Sequence, residues 1–149
     1  MKHVSAFVMR LTNTITLRSH TKVLAEHEEI KQVIKDRYGS RVDFEEETLT
    51  KEDFDDIHIL TAKLYHQPPQ KAFIEDLHNN TANLAELRSE AHRHIDARFS
   101  FFFRIDKESF LTDNWAFVHK GDVIQVRINV CAHPKTYENA LECVQEMLT

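Results

Sequence analysis

Phe99-Ser-Phe-Phe-Phe-Arg-Ile105 and, after a connection from Asp106 to Lys120, Gly121-Asp-Val-Ile-Gln-Val-Arg-Ile-Asn-Val-Cys-Ala132 decide the fold. In the second run Ile124, Val126, Ile128 and Val130 point one way, while Gln125, Arg127 and Asn129 point the other. A period of two marks a strand with one dry and one wet face. The first run alternates in the same sense, so two strands joined by an aromatic connection are expected.

Working outward, Pro134 is followed by Tyr137, Ala140, Leu141, Val144 and Leu148, the apolar side of a closing helix. Upstream, Leu84, Leu87, Ala91 and Ile95 predict a helix over 82–95. Phe73, Ile74 and Leu77 predict another that starts at Gln67-Pro-Pro-Gln70, since proline is tolerated in a first helical turn. Ile57 to Tyr65 alternates, with Leu60, Ala62 and Leu64 on one face and Lys63 and Tyr65 on the other. Val23, Leu24, His27, Ile30, Val33, Ile34 and Tyr38 have helical spacing and stop at Gly39, where a left-handed cap is expected. Ile15 to His20 alternates as a strand, Val4 to Leu11 is rich in β-formers, and 1–11 reads as an N-terminal extension or extra strand. Adjacent strands mixed with helices, without a βαβα rhythm, define an α+β class. The expectation is one domain over 1–149, in two layers, with a mostly antiparallel sheet covered on one face by helices.

Several function classes are excluded early. Two glycines, Gly39 and Gly121, rule out a Gly-rich phosphate loop or dinucleotide fingerprint. Cys131 and Cys143 form no metal or disulfide pattern, so a reducing cytoplasm is the expected compartment. No apolar core follows Lys2, and no run has the length of a membrane span, so neither a signal peptide nor a membrane partner is expected.

The net charge is −5, but it is unevenly spread. Asp43 to Asp56 holds eight acids and one base, Lys51; setting these aside leaves 16 acids against 18 bases. The acidic run lacks the spacing and turn glycine of a calcium loop and reads as a solvated loop, with 41–47 as an exposed edge strand at most.

Catalytic and metal-binding signals are sparse. Glu90 with His94, and His92 with Asp96, are four apart on a predicted helix, yet no metallopeptidase pattern accompanies them, and no metal, cofactor or small-molecule substrate is expected. His58 and His66 lie on the apolar parity of their strand and read as core histidines. Cys131 and His133 could form a nucleophile–base couple, but no oxyanion hole can be placed, so no enzyme is expected.

The polar side of the sheet is the remaining candidate. Strand parity collects Thr16 and Arg18, Lys63 and Tyr65, Ser100, Phe102 and Arg104, then Gln125, Arg127 and Asn129. Arginines contact phosphates and an exposed aromatic can stack on an unpaired base, so this face is compatible with RNA. RNA contacts are expected from Arg127, Arg104, Lys107 and Arg18, with Lys120 and Lys135 adding charge at the edge. Two alternatives stand beside it: Phe102 buried beneath the connection that contains Trp115 and Phe117, and a sheet face or edge used to dimerise or to join a larger complex.

Phe103-Arg-Ile-Asp-Lys-Glu-Ser-Phe110 and Lys120-Gly-Asp-Val-Ile-Gln-Val-Arg-Ile-Asn-Val-Cys-Ala-His-Pro134 resemble the C-terminal half of a small archaeal family. That family is described as RNA-binding and as a predicted exosome subunit. Its pattern there is a strand, a Leu-Asp-Lys-like turn, an aromatic, then Gly-Asp-x-Ile-x-Val-Arg. Ile15 to Ile34 resembles its opening strand and Glu-rich helix, whereas its Gly-His-x-Gly-Asn-Pro segment is replaced here by Phe54-Asp-Asp-Ile-His58. The resemblance implies a ribosomal-protein-L5-like fold, RNA as partner, RNA processing or degradation as setting, and no catalytic residues.

Overall fold

The computed structural model describes residues 12–149, so the extension or extra strand expected over 1–11 lies outside the described residues. A six-stranded sheet carries the fold. Its strands are β1 (Thr12–Thr21), β2 (Asp43–Lys51), β3 (Phe54–Leu64), β4 (Ser100–Asp106), β5 (Phe117–Val118) and β6 (Val123–Val130). They lie in the order β2-β3-β1-β6-β4-β5, and every strand pair is antiparallel. The helices are α1 (Leu24–Tyr38), α2 (Gln67–Asn80), α3 (Leu84–Glu90), α4 (Lys107–Leu111) and α5 (Tyr137–Leu148). This is the expected α+β class.

Alternation in sequence becomes a division of faces. Ile15 of β1 pairs with Leu64 of β3 and with Ile128 of β6, and Phe101 of β4 pairs with Ile128 from the other side. All four are fully buried, forming a continuous apolar band across the sheet. Ile30 and Ile34 of α1, Phe73, Ile74 and Leu77 of α2, Leu87 of α3, and Val144 and Met147 of α5 close over it. Each such side chain contributes about 1.5–3 kcal/mol when taken fully from water, so register is tightly specified: a slip by one residue would turn the band outward.

Four expectations need correction. The acidic run is not a loop, because Asp43–Lys51 and Phe54–Leu64 form a hairpin with Glu45 opposite Thr61 and Glu47 opposite Ile59. Its repulsion is offset by cations from elsewhere: Lys63 reaches Glu45 at 3.0 Å and Lys31 reaches Glu46 at 2.9 Å. The helix expected over 82–95 ends at Glu90 and passes through a single 3₁₀ turn, Ala91–Arg93. Beyond it Asp96 accepts the backbone N–H groups of Arg98 and Ser100, a local turn that competes with further helix.

The third correction concerns histidines. His66 is exposed at the start of α2, and His58 is half-buried with Nδ1 3.3 Å from the Thr48 hydroxyl, so only His58 resembles the expected hydrogen-bonded residue. The fourth concerns Gly39, whose φ of +83° is accompanied by a ψ of −174° rather than left-handed helical values. Glycine adopts such a conformation at little cost, and its N–H still closes the helix on the Lys35 carbonyl.

The aromatic connection between β4 and β6 turns into the core. Trp115 is fully buried, stacked on Phe110 at 5.2 Å and tilted against Phe73 at 5.5 Å. It leaves the opposite side of the sheet uncovered by this segment. No helix among the described residues is long and apolar enough to cross a membrane.

Candidate nucleic-acid interface

On the side facing away from the helices, three central strands bring their polar positions into rows. Thr16 of β1 pairs with Arg127 of β6, which pairs with Phe102 of β4. In the next row Arg18 pairs with Gln125, which pairs with Arg104. Neighbouring strands are about 4.8 Å apart, so two rows hold three guanidinium groups and one aromatic ring within a few strand widths. Together with Thr61 these residues line a shallow depression of about 260 Å³.

The donors differ in how they are held. Arg18 has no hydrogen bond or ion pair among the described residues and is exposed. Arg104 donates through Nη1 to the His119 carbonyl at 3.3 Å. Arg127 donates through Nη1 to Asp96. Burial works against the charged Asp96 carboxylate, but the N–H groups of Ser100 and Arg98 and the Arg127 guanidinium outweigh it and hold the carboxyl below its usual range. Phe102 is half-buried and meets the His94 ring edge-on at 5.5 Å. It is therefore not beneath Trp115 and Phe117, which lie on the helix side.

A second, larger concavity of about 620 Å³ opens where β4 begins and β6 ends. Arg127 lines both depressions and joins them into one track; Asn129, Arg98, Phe99 and Lys135 continue it. Asn129 accepts the Ser100 hydroxyl at 2.8 Å. Phe99 has a φ of +61°, a conformation costly for a residue with a side chain. The turn made by Asp96 fixes this bend.

The expected residues are thus sorted by the fold. Arg18, Phe102, Arg104, Gln125 and Arg127 come together. Lys63 stands beside them, opposite Thr16, but its ammonium is held by Glu45, whose hydrogen bond raises its pKa. Lys135 joins through the larger concavity, and Lys120 is exposed in the turn between β5 and β6.

Lys107 does not belong to this face. It is only 4% exposed, and its ammonium contacts Glu26 at 3.0 Å, Asp122 at 2.5 Å and the His20 carbonyl at 3.0 Å. Arg98 and Phe99 were not anticipated as site residues, and Asp96 was weighed only as a metal-ligand candidate beside His92. The visible signal for them is Asp96 placed two and four residues before Arg98 and Ser100, the spacing of an Asx turn.

The thiol couple is not assembled. Cys131 and His133 share no hydrogen bond; Cys143 Sγ instead lies 4.0 Å from the Cys131 carbonyl. Burial first, and then the Glu142 carboxylate, raise the Cys143 pKa, which disfavours a nucleophilic thiolate.

A family model described as RNA binding matches residues 14–130, a span that includes β3, β4, β6 and all of β1 but its first two residues. The chain belongs to this RNA-binding family. The family description carries a binding role and names no reaction. Among solved structures, protein AF2318 from Archaeglobus fulgidus superposes with a TM-score of 0.75 at 18% identity, over 91% of this chain and 99% of that one. Mth689, a DUF54 protein from Methanothermobacter thermautotrophicus, gives 0.74 at 20% identity, over 93% and 99%. A UPF0201 protein from Methanococcus jannaschii gives 0.60 at 10% identity, over 91% and 99%. At these identities the likeness speaks to the fold alone, which this chain shares with these archaeal proteins. No curated protein matches the chain.

Proposed function

We propose that this RNA-binding family member holds unpaired RNA along the outer face of β1, β6 and β4, without catalysing a reaction on it. The observation that carries the reading is the register that sets Arg127 between Thr16 and Phe102, with Arg18 and Arg104 one row away. Guanidinium groups take phosphates, Gln125 offers an amide to a base edge or 2′-hydroxyl, and Phe102 offers a ring for stacking. Arg98, Phe99 and Lys135 extend the path, while Lys63 and Lys120 stand at its margins. The acids of β2 repel phosphate and confine RNA to the central strands. RNA processing or degradation in the cytoplasm, next to an exosome, is the setting that the family resemblance supports.

Fluorescence titration with labelled single-stranded and duplex RNA at low and moderate salt tests this. Tighter binding of the single strand, weakening steeply with salt, is expected. Absence of binding at low salt would overturn the function, and full affinity in an Arg18→Ala/Arg104→Ala/Arg127→Ala variant would overturn the site. A protein-interaction role, as homodimer or complex subunit, is favoured by one feature: Leu49 and Phe54 are exposed at the β2–β3 hairpin tip, Phe54 to 74%. Light scattering that shows a dimer dispersed by Phe54→Ser would support that second reading.

A further inference from the structure

Glu90, His94 and His119 come from three places in the chain: the end of α3, the segment after the 3₁₀ turn, and the loop after β5. They meet at one end of the sheet, and each offers a donor atom within 4.8 Å of the other two. His119 Nε2 lies 3.4 Å from Glu90 Oε1. The two imidazole planes are 7° from parallel. Glu86, one helical turn before Glu90, places Oε1 4.0 Å from the same His119 nitrogen.

We propose that Glu90, His94 and His119 bind a divalent transition-metal ion of the zinc type, with Glu86 available as a fourth donor. Zinc bonds to nitrogen and oxygen of about 2.0–2.1 Å put tetrahedral donors roughly 3.3 Å apart. The Glu90–His119 pair already has that separation. Closure onto His94 falls to His119, an exposed side chain on a loop and thus free to adjust.

His94 itself is ready for a partner that the protein does not supply. Its Nδ1 is buried with no hydrogen-bond partner, and the residue is only 8% exposed. Buried unpaired polar atoms are uncommon enough to call for a specific cause. Two imidazoles and a carboxylate match zinc, cobalt or nickel, whereas magnesium and calcium favour all-oxygen sites.

The charge balance agrees. Two carboxylates face the position, against one guanidinium, Arg104, that is turned to the His119 carbonyl. The other cluster with donors within 4.8 Å among the described residues, His27, Glu28 and Glu46, differs in kind. There the Lys31 ammonium sits 2.9 Å from Glu46 and already neutralises it. A metal at Glu90 would tie α3 to the loop after β5.

The test is titration of the chelator-dialysed full chain with Co²⁺, then displacement by Zn²⁺. One equivalent should bind with the visible absorption of four-coordinate cobalt. Glu90→Gln, which keeps the size of a half-buried side chain, and His119→Ala, at an exposed position, should each weaken binding roughly tenfold or more, whereas exposed His133→Ala should not. Absence of a four-coordinate spectrum, or a spectrum unchanged in His119→Ala, would overturn the site and leave a plain His119–Glu90 ion pair.

Discussion

Arg127 and Asp96 face each other at the junction of the two depressions, where one carboxylate takes the guanidinium together with the backbone N–H groups of Arg98 and Ser100. A single acid therefore positions an arginine and shapes the turn that carries its neighbours. It also opposes the phosphate that the arginine is proposed to meet.

Asp96→Asn separates these two effects. The amide oxygen can still accept from the turn, while the competing charge is gone. RNA affinity at low salt should rise about threefold to tenfold, and the salt slope should steepen by about one. Weaker binding in fluorescence titration would instead mean that Arg127 needs its carboxylate to be held in place.

The same carboxyl makes a statement about acid. Its folded pKa lies below the ordinary 3.8, so its stabilisation is complete above that value and is lost as pH falls through the folded one. Urea midpoints of the parent protein should therefore exceed those of Asp96→Asn at about pH 6, and the gap should close as pH falls through the folded pKa. A gap that stays constant with pH would assign the stabilisation to hydrogen bonding alone.

Lys107 serves the fold. Lys107→Met keeps the buried stem but leaves Glu26, Asp122 and the His20 carbonyl without their cation. A loss of about 2 kcal/mol is expected, below that of a fully enclosed pair because Asp122 keeps its water. RNA affinity measured well below the melting temperature should be unchanged. Weakened RNA binding in a variant of normal stability would return Lys107 to the interface.

Phe99 permits a test of backbone strain. Its ring packs partly on the core while its φ is +61°. Phe99→Ala and Phe99→Gly both lose the ring, but only glycine relaxes the bend. Glycine should be the more stable of the two by about 1 kcal/mol, the reverse of the usual order. Equal urea midpoints, or alanine ahead, would show that the bend costs little.

Much of this was legible in the chain because strands advertise their faces. Arg104 and Arg127 share the parity of Gln125 and Phe102, and that parity survives into the folded sheet. Arg98 and Phe99 were hidden because their exposure depends on a turn made by Asp96, not on periodicity. Lys107 misled for another reason: lysine is rarely buried, and its partners Glu26 and Asp122 are remote in sequence or sit across a loop. The acidic run misled because repulsion among neighbours is visible in sequence, whereas Lys31 and Lys63 arriving from other elements are not.

The edge strand β2 has a further consequence for how copies of this chain meet. Its outer edge, nine residues long, has no strand partner among the described residues and would normally invite a second copy to lengthen the sheet. Antiparallel addition along β2 would bring two sets of Asp43, Glu45 and Glu47 onto one face at strand spacing, and like charges so placed repel. The acids thus act as a stop against sheet growth and fibre formation, keeping an open-edged protein dispersed.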